Sequence, residues 1–193
     1  MGNKAEILTK SKKFSVLSTK KLTSAQKELL LNAGIGLVER NFIRIVPIDF
    51  SVEKIPENVI FTSQNTVKFV LEKLGKEKFE SKKIFCVGEK TAGLLEKSGL
   101  RVTLSANYGK ELAMNIQKGH SEEEFLFFCG KKRRPELPDF FKKHKIQFSE
   151  IHVYDTKPNP KKLNRKFDGI LFYSPSGVKS FCSENEIEES IAF

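Results

Sequence analysis

The chain has 193 residues, with 34 lysines and arginines against 24 aspartates and glutamates, a net charge of +10, and 39% apolar residues. That size and apolar share suit one large or two small globular domains, and no run of about 18 apolar residues is present to cross a bilayer. The positive balance points to an acidic partner, whether nucleic acid, a membrane surface or a polyanionic small molecule, as readily as to a lysine-rich background.

The amino end, MGNKAEILTKSKK, is basic and polar and lacks the apolar stretch of a signal peptide. Glu6 stands where a myristoylation signal carries Ser or Thr, and residues 1–12 read as a loose leader. Phe14–Ser18 (FSVLS) is a short apolar strand, and a helix begins near Ser24, capped by Thr23 or Ser24 and stopped at Gly34. Phe42–Phe50 (FIRIVPIDF) alternates as a strand, with Pro47 suited to an edge ribbon. Strand and helix then alternate: strands at Val59–Thr62, Ile84–Val87, Val102–Leu104 and Phe125–Cys129, helices at Asn65–Leu74, Lys90–Ser98, Lys110–Gln117 and Pro135–Lys143. The first three of these helices are expected to stop at Gly75, Gly99 and Gly119. Gln147–Tyr154 is a further strand, and Thr156–Arg165 a polar connector with prolines. Gly169–Tyr173 is a strand, Ser176–Ser183 a helix, and Ile191–Phe193 the start of an apolar element.

Alternation at this spacing makes parallel sheets flanked by helices. The pieces at either end of the chain are complete only if they join each other. The expected fold is therefore α/β, with two similar parallel-sheet domains, one inserted into the other. The split domain takes residues 13–41 and 158–193, the inserted domain 51–149, and a two-stranded β ladder of 42–50 and 150–157 connects them.

Two phrases repeat. IFTSQNTVKFV (60–70) and LFYSPSGVKSF (171–181) share a pattern in which Phe61, Ser63, Val67 and Lys68 recur as Phe172, Ser174, Val178 and Lys179, 111 residues later. Each reads as a strand delivering a Ser-bearing turn at its carboxyl end, where open α/β sheets bind ligands. The plainer reading is a pair of helix N-caps, from Ser63 or Asn65 and from Ser174 or Ser176. The other strand-end turns, among them Gly88–Thr91 and Gly130–Arg134, are rich in Gly, hydroxyls and cations, as anion sites are.

Neither a P-loop nor GxGxxG is present, so nucleotide and dinucleotide sites have no support. The run 131–134 (KKRR) is a weak nucleic-acid signal. Cys86, Cys129 and Cys182 lack CxxC spacing, and the first two sit in apolar runs as core residues, which suits a reducing cytoplasmic compartment. No metal cluster and no nucleophile constellation stands out, and His120, His144 and His152 lie in polar or ribbon contexts. Tyr154 on the ribbon is the most suggestive titratable side chain, against a plain reading as an amphipathic strand tyrosine.

The phrases IFTSQNTVKF (60–69), FCVGEKTAGLLEKSGL (85–100), LFFCGKKRRPELPDFFKKHKIQFSEIHVYDT (126–156) and ILFYSPSGVKSF (170–181), in this order, resemble the uroporphyrinogen-III synthase family. The resemblance implies two α/β domains joined by a ladder. It also implies cyclisation of hydroxymethylbilane to uroporphyrinogen III, with loss of water and inversion of ring D through a spirocyclic pyrrolenine. No cofactor and no metal are implied, and the protein is expected to be a cytoplasmic monomer binding neither nucleic acid nor membrane. Loss of the substrate hydroxyl gives a stabilised azafulvene cation, so the protein has mainly to fold the chain and supply a weak acid. By resemblance Tyr154 takes the acid role. Thr62, Ser63, Asn65, Gly88, Thr91, Gly130, Arg133, Ser174, Pro175 and Ser176 fall at positions lining the family's substrate cleft. The alternative is a non-catalytic two-domain protein binding a polyanion or nucleic acid.

In the family an I-G-x-T-T-A turn follows the second phrase, mirroring Val87–Ala92. The first copy spans 24 residues from Phe61 to Phe85, and the second spans 21 from Phe172 to Phe193, where the sequence stops. The expectation is a longer natural chain that carries this turn.

Overall fold

The computed structural model describes residues 14–187 and 189–193, so the leader assigned to 1–12 lies outside the described residues. The chain divides into two compact units. One is continuous, Ile45–Thr156; the other joins the described residues up to Arg44 with Lys157–Phe193.

The continuous unit holds most of a six-stranded sheet in the order β3-β8-β7-β4-β5-β6, the first two residues of β3 and the last two of β8 belonging to the split unit. Its strands are β3 (Ile43–Pro47), β4 (Asn58–Phe61), β5 (Lys83–Val87), β6 (Val102–Ala106), β7 (Phe125–Gly130) and β8 (Phe148–Pro158). β4, β5, β6, β7 and β8 pair with one another in parallel. Between them stand α2 (Gln64–Leu74), α3 (Glu89–Lys97), α4 (Gly109–His120) and α5 (Glu136–Lys143). A short 3-10 turn, Glu77–Phe79, buries Phe79.

Side chains alternate across the sheet, and the two faces form two cores. On one face Val59, Phe61, Ile84, Cys86, Leu126 and Phe128 pack with Val67 and Val70 of α2 and Leu95 of α3. On the other, Ile60, Phe85, Phe125, Phe127 and Cys129 pack with Leu112, Ala113 and Ile116 of α4 and Leu137 and Phe141 of α5. β7 is buried at all six positions, as a central strand covered on both faces must be.

The split unit has a four-stranded sheet in the order β10-β9-β1-β2, all parallel. Its strands are β1 (Ser15–Ser18), β2 (Gly36–Glu39), β9 (Gly169–Leu171) and β10 (Ile191–Ala192), with helices α1 (Ser24–Asn32) and α6 (Pro175–Cys182). Its core is Leu17, Phe42, Phe167, Ile170 and Phe181.

Four details depart from the sequence reading. β2 was not anticipated, because GLVE is too short for alternation to declare itself and gains its identity by pairing beside β1. β3 ends at Pro47 rather than Phe50, as an edge strand whose proline has no N–H to give. β8 runs on to Pro158, beyond the expected Tyr154. Gly119 does not stop α4, which continues through it to His120, whereas Gly34, Gly75 and Gly99 follow their helices in positive-φ conformations.

Candidate active site

At the carboxyl ends of the continuous unit's strands lies a pocket of about 450 Å³. Thr62 and Ser63 after β4, Asn107, Tyr108 and Gly109 between β6 and α4, Lys132, Arg133 and Arg134 after β7, and Tyr154 of β8 line it. The parallel register brings these turns to one edge of the sheet, where Gly130 and Tyr154 are Cα partners.

Ser63 is the N-cap of α2, its Oγ accepting the Thr66 N–H at 3.2 Å. The same hydroxyl lies 3.0 Å from Thr66 Oγ1 and 3.3 Å from the Tyr154 phenol oxygen. A serine hydroxyl has one proton and two lone pairs. With one lone pair taken by the Thr66 amide, Ser63 can give its proton to the Tyr154 oxygen, which leaves the phenol proton free for a ligand.

The Tyr154 ring is held from two sides. Phe69 lies 6.2 Å away, centroid to centroid. On the other side is Gly130, where a Cβ would stand 2.5 Å from the ring. Only glycine leaves room for the tyrosine there. Lys131 N–H donates to the Tyr154 carbonyl at 2.8 Å and fixes the backbone of the pair.

Arg133 makes a forked ion pair, Nε to Glu150 Oε1 at 2.6 Å and Nη2 to Glu150 Oε2 at 2.8 Å. These bonds raise its pKa above the ordinary value and commit two of its donor nitrogens, so any ligand meets an arginine already shared with a carboxylate. Lys132 Nζ donates to the Thr156 carbonyl at 3.0 Å, and Arg134 is exposed.

The remaining residues expected from the sequence are not among those lining this pocket. Gly88 caps α3 with φ 89° and accepts the Thr91 N–H, and Thr91 is buried. Asn65 is half-buried in the first turn of α2. Ser174, Pro175 and Ser176 belong to the split unit, where Ser174 Oγ caps α6 by accepting the Gly177 N–H at 3.1 Å. Both repeated serines are therefore N-caps, and Ser63 additionally meets Tyr154.

Asn107 and Tyr108 join the pocket without standing among the residues expected from the sequence. Tyr108 is 71% exposed at the pocket's rim. The only available signal was its position in a strand-end turn.

Burial raises the Cys86 thiol to about 11 and the Cys129 thiol to about 12, so both are inert core residues. His120 pairs with Glu123 at 2.7 Å and His144 with Gln117 at 2.8 Å, both outside the pocket. Among the described residues no cluster of His, Cys, Asp or Glu is placed to hold a metal, and no helix is long and apolar enough to cross a membrane.

Parallel α/β units with a hydroxyl-rich, cation-flanked pocket at a sheet's carboxyl edge define a class of ligand-binding α/β protein. Within that class the chain belongs to the uroporphyrinogen-III synthase family, cyclising lyases of heme biosynthesis: the family model described as uroporphyrinogen-III synthase HemD matches residues 24–188. The fold is similar to that of uroporphyrinogen-III synthetase from Helicobacter pylori 26695, with a TM-score of 0.69 at 19% identity over 93% of this chain and 82% of that one. It is also similar to a mutant uroporphyrinogen III synthase from the extremely thermophilic bacterium Thermus thermophilus, with a TM-score of 0.61 at 13% identity over 92% and 77% of the two chains. Neither finding favours the polyanion- or nucleic-acid-binding alternative.

Proposed function

We propose that the chain cyclises hydroxymethylbilane to uroporphyrinogen III, with Tyr154 as the general acid that protonates the departing hydroxyl. The observation that supports this is the hydrogen-bonded series Thr66–Ser63–Tyr154 at the pocket. Ser63 donating to the phenol oxygen turns the tyrosine proton outward before reaction. The same bond steadies the phenolate once that proton has gone to the leaving water. The azafulvene cation so formed is closed by attack of the ring D carbon. The spirocyclic pyrrolenine then reopens and recloses with that ring inverted. The energetic demand on the protein is mainly orientation, because the substrate ionises readily.

Thr62, Ser63, Asn65, Gly88, Thr91, Gly130 and Arg133 would contact the substrate or shape its seat, and Ser174, Pro175 and Ser176 would do so from the split unit. Backbone N–H groups of these turns and the surrounding cations suit a substrate bearing many carboxylates. The domain limits proposed are 13–41 with 158–193, 51–149, and the ladder 42–50 with 150–157. The protein would act without a cofactor, as a monomer in the cytoplasm, on this small-molecule partner alone.

The decisive assay incubates the purified chain with hydroxymethylbilane and resolves the product isomers. Isomer III formed faster than spontaneous closure is expected, and isomer I alone at the spontaneous rate overturns the proposal. Tyr154→Phe is expected to lower kcat by about 10²–10⁴-fold with the melting curve unchanged. Full activity in that variant removes the acid role from Tyr154.

A further inference from the structure

The split unit has a pocket of its own, about 480 Å³, at the carboxyl ends of β1 and β2. Parallel pairing sets Ser18 beside Glu39, so the segments that follow, with Lys21 on one and Arg40 on the other, emerge side by side. Lys161 reaches the same pocket from the connector before β9. Three cations thus converge with a single carboxylate, Glu39.

That carboxylate is already committed. Its Oε2 accepts the Leu22 N–H at 3.0 Å and its Oε1 meets Lys27 Nζ at 2.7 Å. The neighbouring amides are also engaged: Asn41 Oδ1 accepts the Lys21 N–H at 2.8 Å, and Asn159 Nδ2 donates to the Asn41 carbonyl at 2.7 Å. These bonds tie the loops after β1 and β2 and the connector into one fixed rim.

Arg40 is the exception. Its backbone N–H is anchored on the Ser18 carbonyl at 3.0 Å, and its guanidinium carbon lies 5.8 Å from the Phe42 ring centroid. Its Nε is buried and has no hydrogen-bond partner. Among the described residues no carboxylate stands within ion-pair distance of Arg40, Lys21 or Lys161. Buried donors are rarely left unpaired, and a guanidinium N–H is among the costliest to leave so. With no carboxylate paired to it, the Arg40 guanidinium is free to hold an oxyanion in the pocket through charge-assisted bonds, with Lys21 and Lys161 adding positive charge to the same rim.

We propose that this pocket is an oxyanion site, taking a phosphate group or paired carboxylates against Arg40, Lys21 and Lys161. The site stands on the split unit's own geometry and does not depend on the cyclase reading. Only the assignment of its occupant to a substrate carboxylate would rest on that reading.

The test is calorimetric titration of the whole chain with inorganic pyrophosphate and, separately, citrate, at ionic strength held constant with chloride. Saturable 1:1 binding of at least one probe is expected, weakened about tenfold or more by Arg40→Gln and also weakened by Lys161→Gln. The exposed Lys161 keeps the test valid if Arg40→Gln does not fold. The absence of saturable binding by either probe overturns the site, as does binding that both variants leave unchanged. A parallel cyclase assay separates the two sources. A raised KM in Lys161→Gln, with citrate competing against substrate, assigns the site to a substrate carboxylate. An unchanged KM in that variant, with its pyrophosphate binding weakened, assigns the site to a free anion. Inactivity of the wild-type chain would sink the cyclase reading and leave the binding result standing.

Discussion

The strands β5-β4-β7-β8 of the continuous unit and β10-β9-β1-β2 of the split unit are the same neighbourhood built twice. The correspondence holds residue by residue. Asn58 pairs with Phe125 and Lys83, and Gly169, 111 positions after Asn58, pairs with Val16 and Ile191. The Lys83 N–H donates to the Glu57 carbonyl, and the Ile191 N–H donates to the Asp168 carbonyl. What differs is cover. The continuous unit sandwiches its sheet between two aromatic-rich cores. The split unit has one small core, and α1 buries none of its residues, leaving Leu29 73% exposed. Identical strand pairing therefore coexists with unequal burial, and burial carries most of the stability.

The sharpest way to break this comparison is to cut the same aromatic from each copy. Phe61 is fully buried between Phe128, at 5.5 Å, and Phe79, at 6.0 Å. Phe172 is half-buried and meets Phe181 at 5.5 Å. Phe61→Ala is expected to cost about 3–5 kcal/mol in chemical denaturation. Phe172→Ala should cost about 1–2 kcal/mol, in keeping with its partial burial. Equal losses would show that the two cores are equivalent after all.

Gly130→Ala comes next. The added methyl collides with the Tyr154 ring, so a loss of about 1–3 kcal/mol is expected together with a fall in cyclase kcat. Gly130→Ala with wild-type stability and rate would mean that the ring is free to move aside.

The repeated serines sharpen the comparison at lower cost. Ser63→Ala and Ser174→Ala each remove a helix cap and should each lose about 1 kcal/mol of stability. Ser63→Ala should also lower kcat more than Ser174→Ala does, since of the two serines Ser63 is the one that touches Tyr154. Matching kcat losses in both variants would put the two turns on the same footing.

The smallest effect is electrostatic and belongs to the continuous unit. The hydrogen bond from His120 is the main cause holding the Glu123 carboxyl below its ordinary value of 4.5, with Lys83 adding to it. A depressed carboxylate stabilises the fold fully above the unfolded value, and that contribution is lost as pH falls through the folded one. Wild type should therefore lose slightly more stability than Glu123→Gln between neutral pH and the region below 4.5. Parallel melting-temperature curves for the two proteins across that range would discount the pair.

Much of this architecture is legible in the sequence. The glycine stops at Gly75 and Gly99 and the short apolar runs between them locate most of the continuous unit, because a doubly covered parallel sheet writes its strands as unbroken apolar segments. The repeat marked the two corresponding serine turns, one in each unit. β2 escaped notice because four residues cannot display a period. Tyr108 escaped because exposure at a pocket rim leaves no mark on local pattern. The Arg133–Glu150 fork joins residues on different elements and has no trace in spacing.

The α/β class, the insertion of one strand–helix series into another and the two serine turns can be read from the amino-acid order alone, since they rest on the order of periodic segments and on caps within a few residues of each other. Tertiary structure decided which polar groups are committed and which are open: Glu150 on Arg133, Tyr154 in the space left by Gly130, and Arg40 Nε buried without an acceptor. Those outcomes depend on side chains distant in sequence meeting at the ends of parallel strands, a placement fixed only by sheet order and packing.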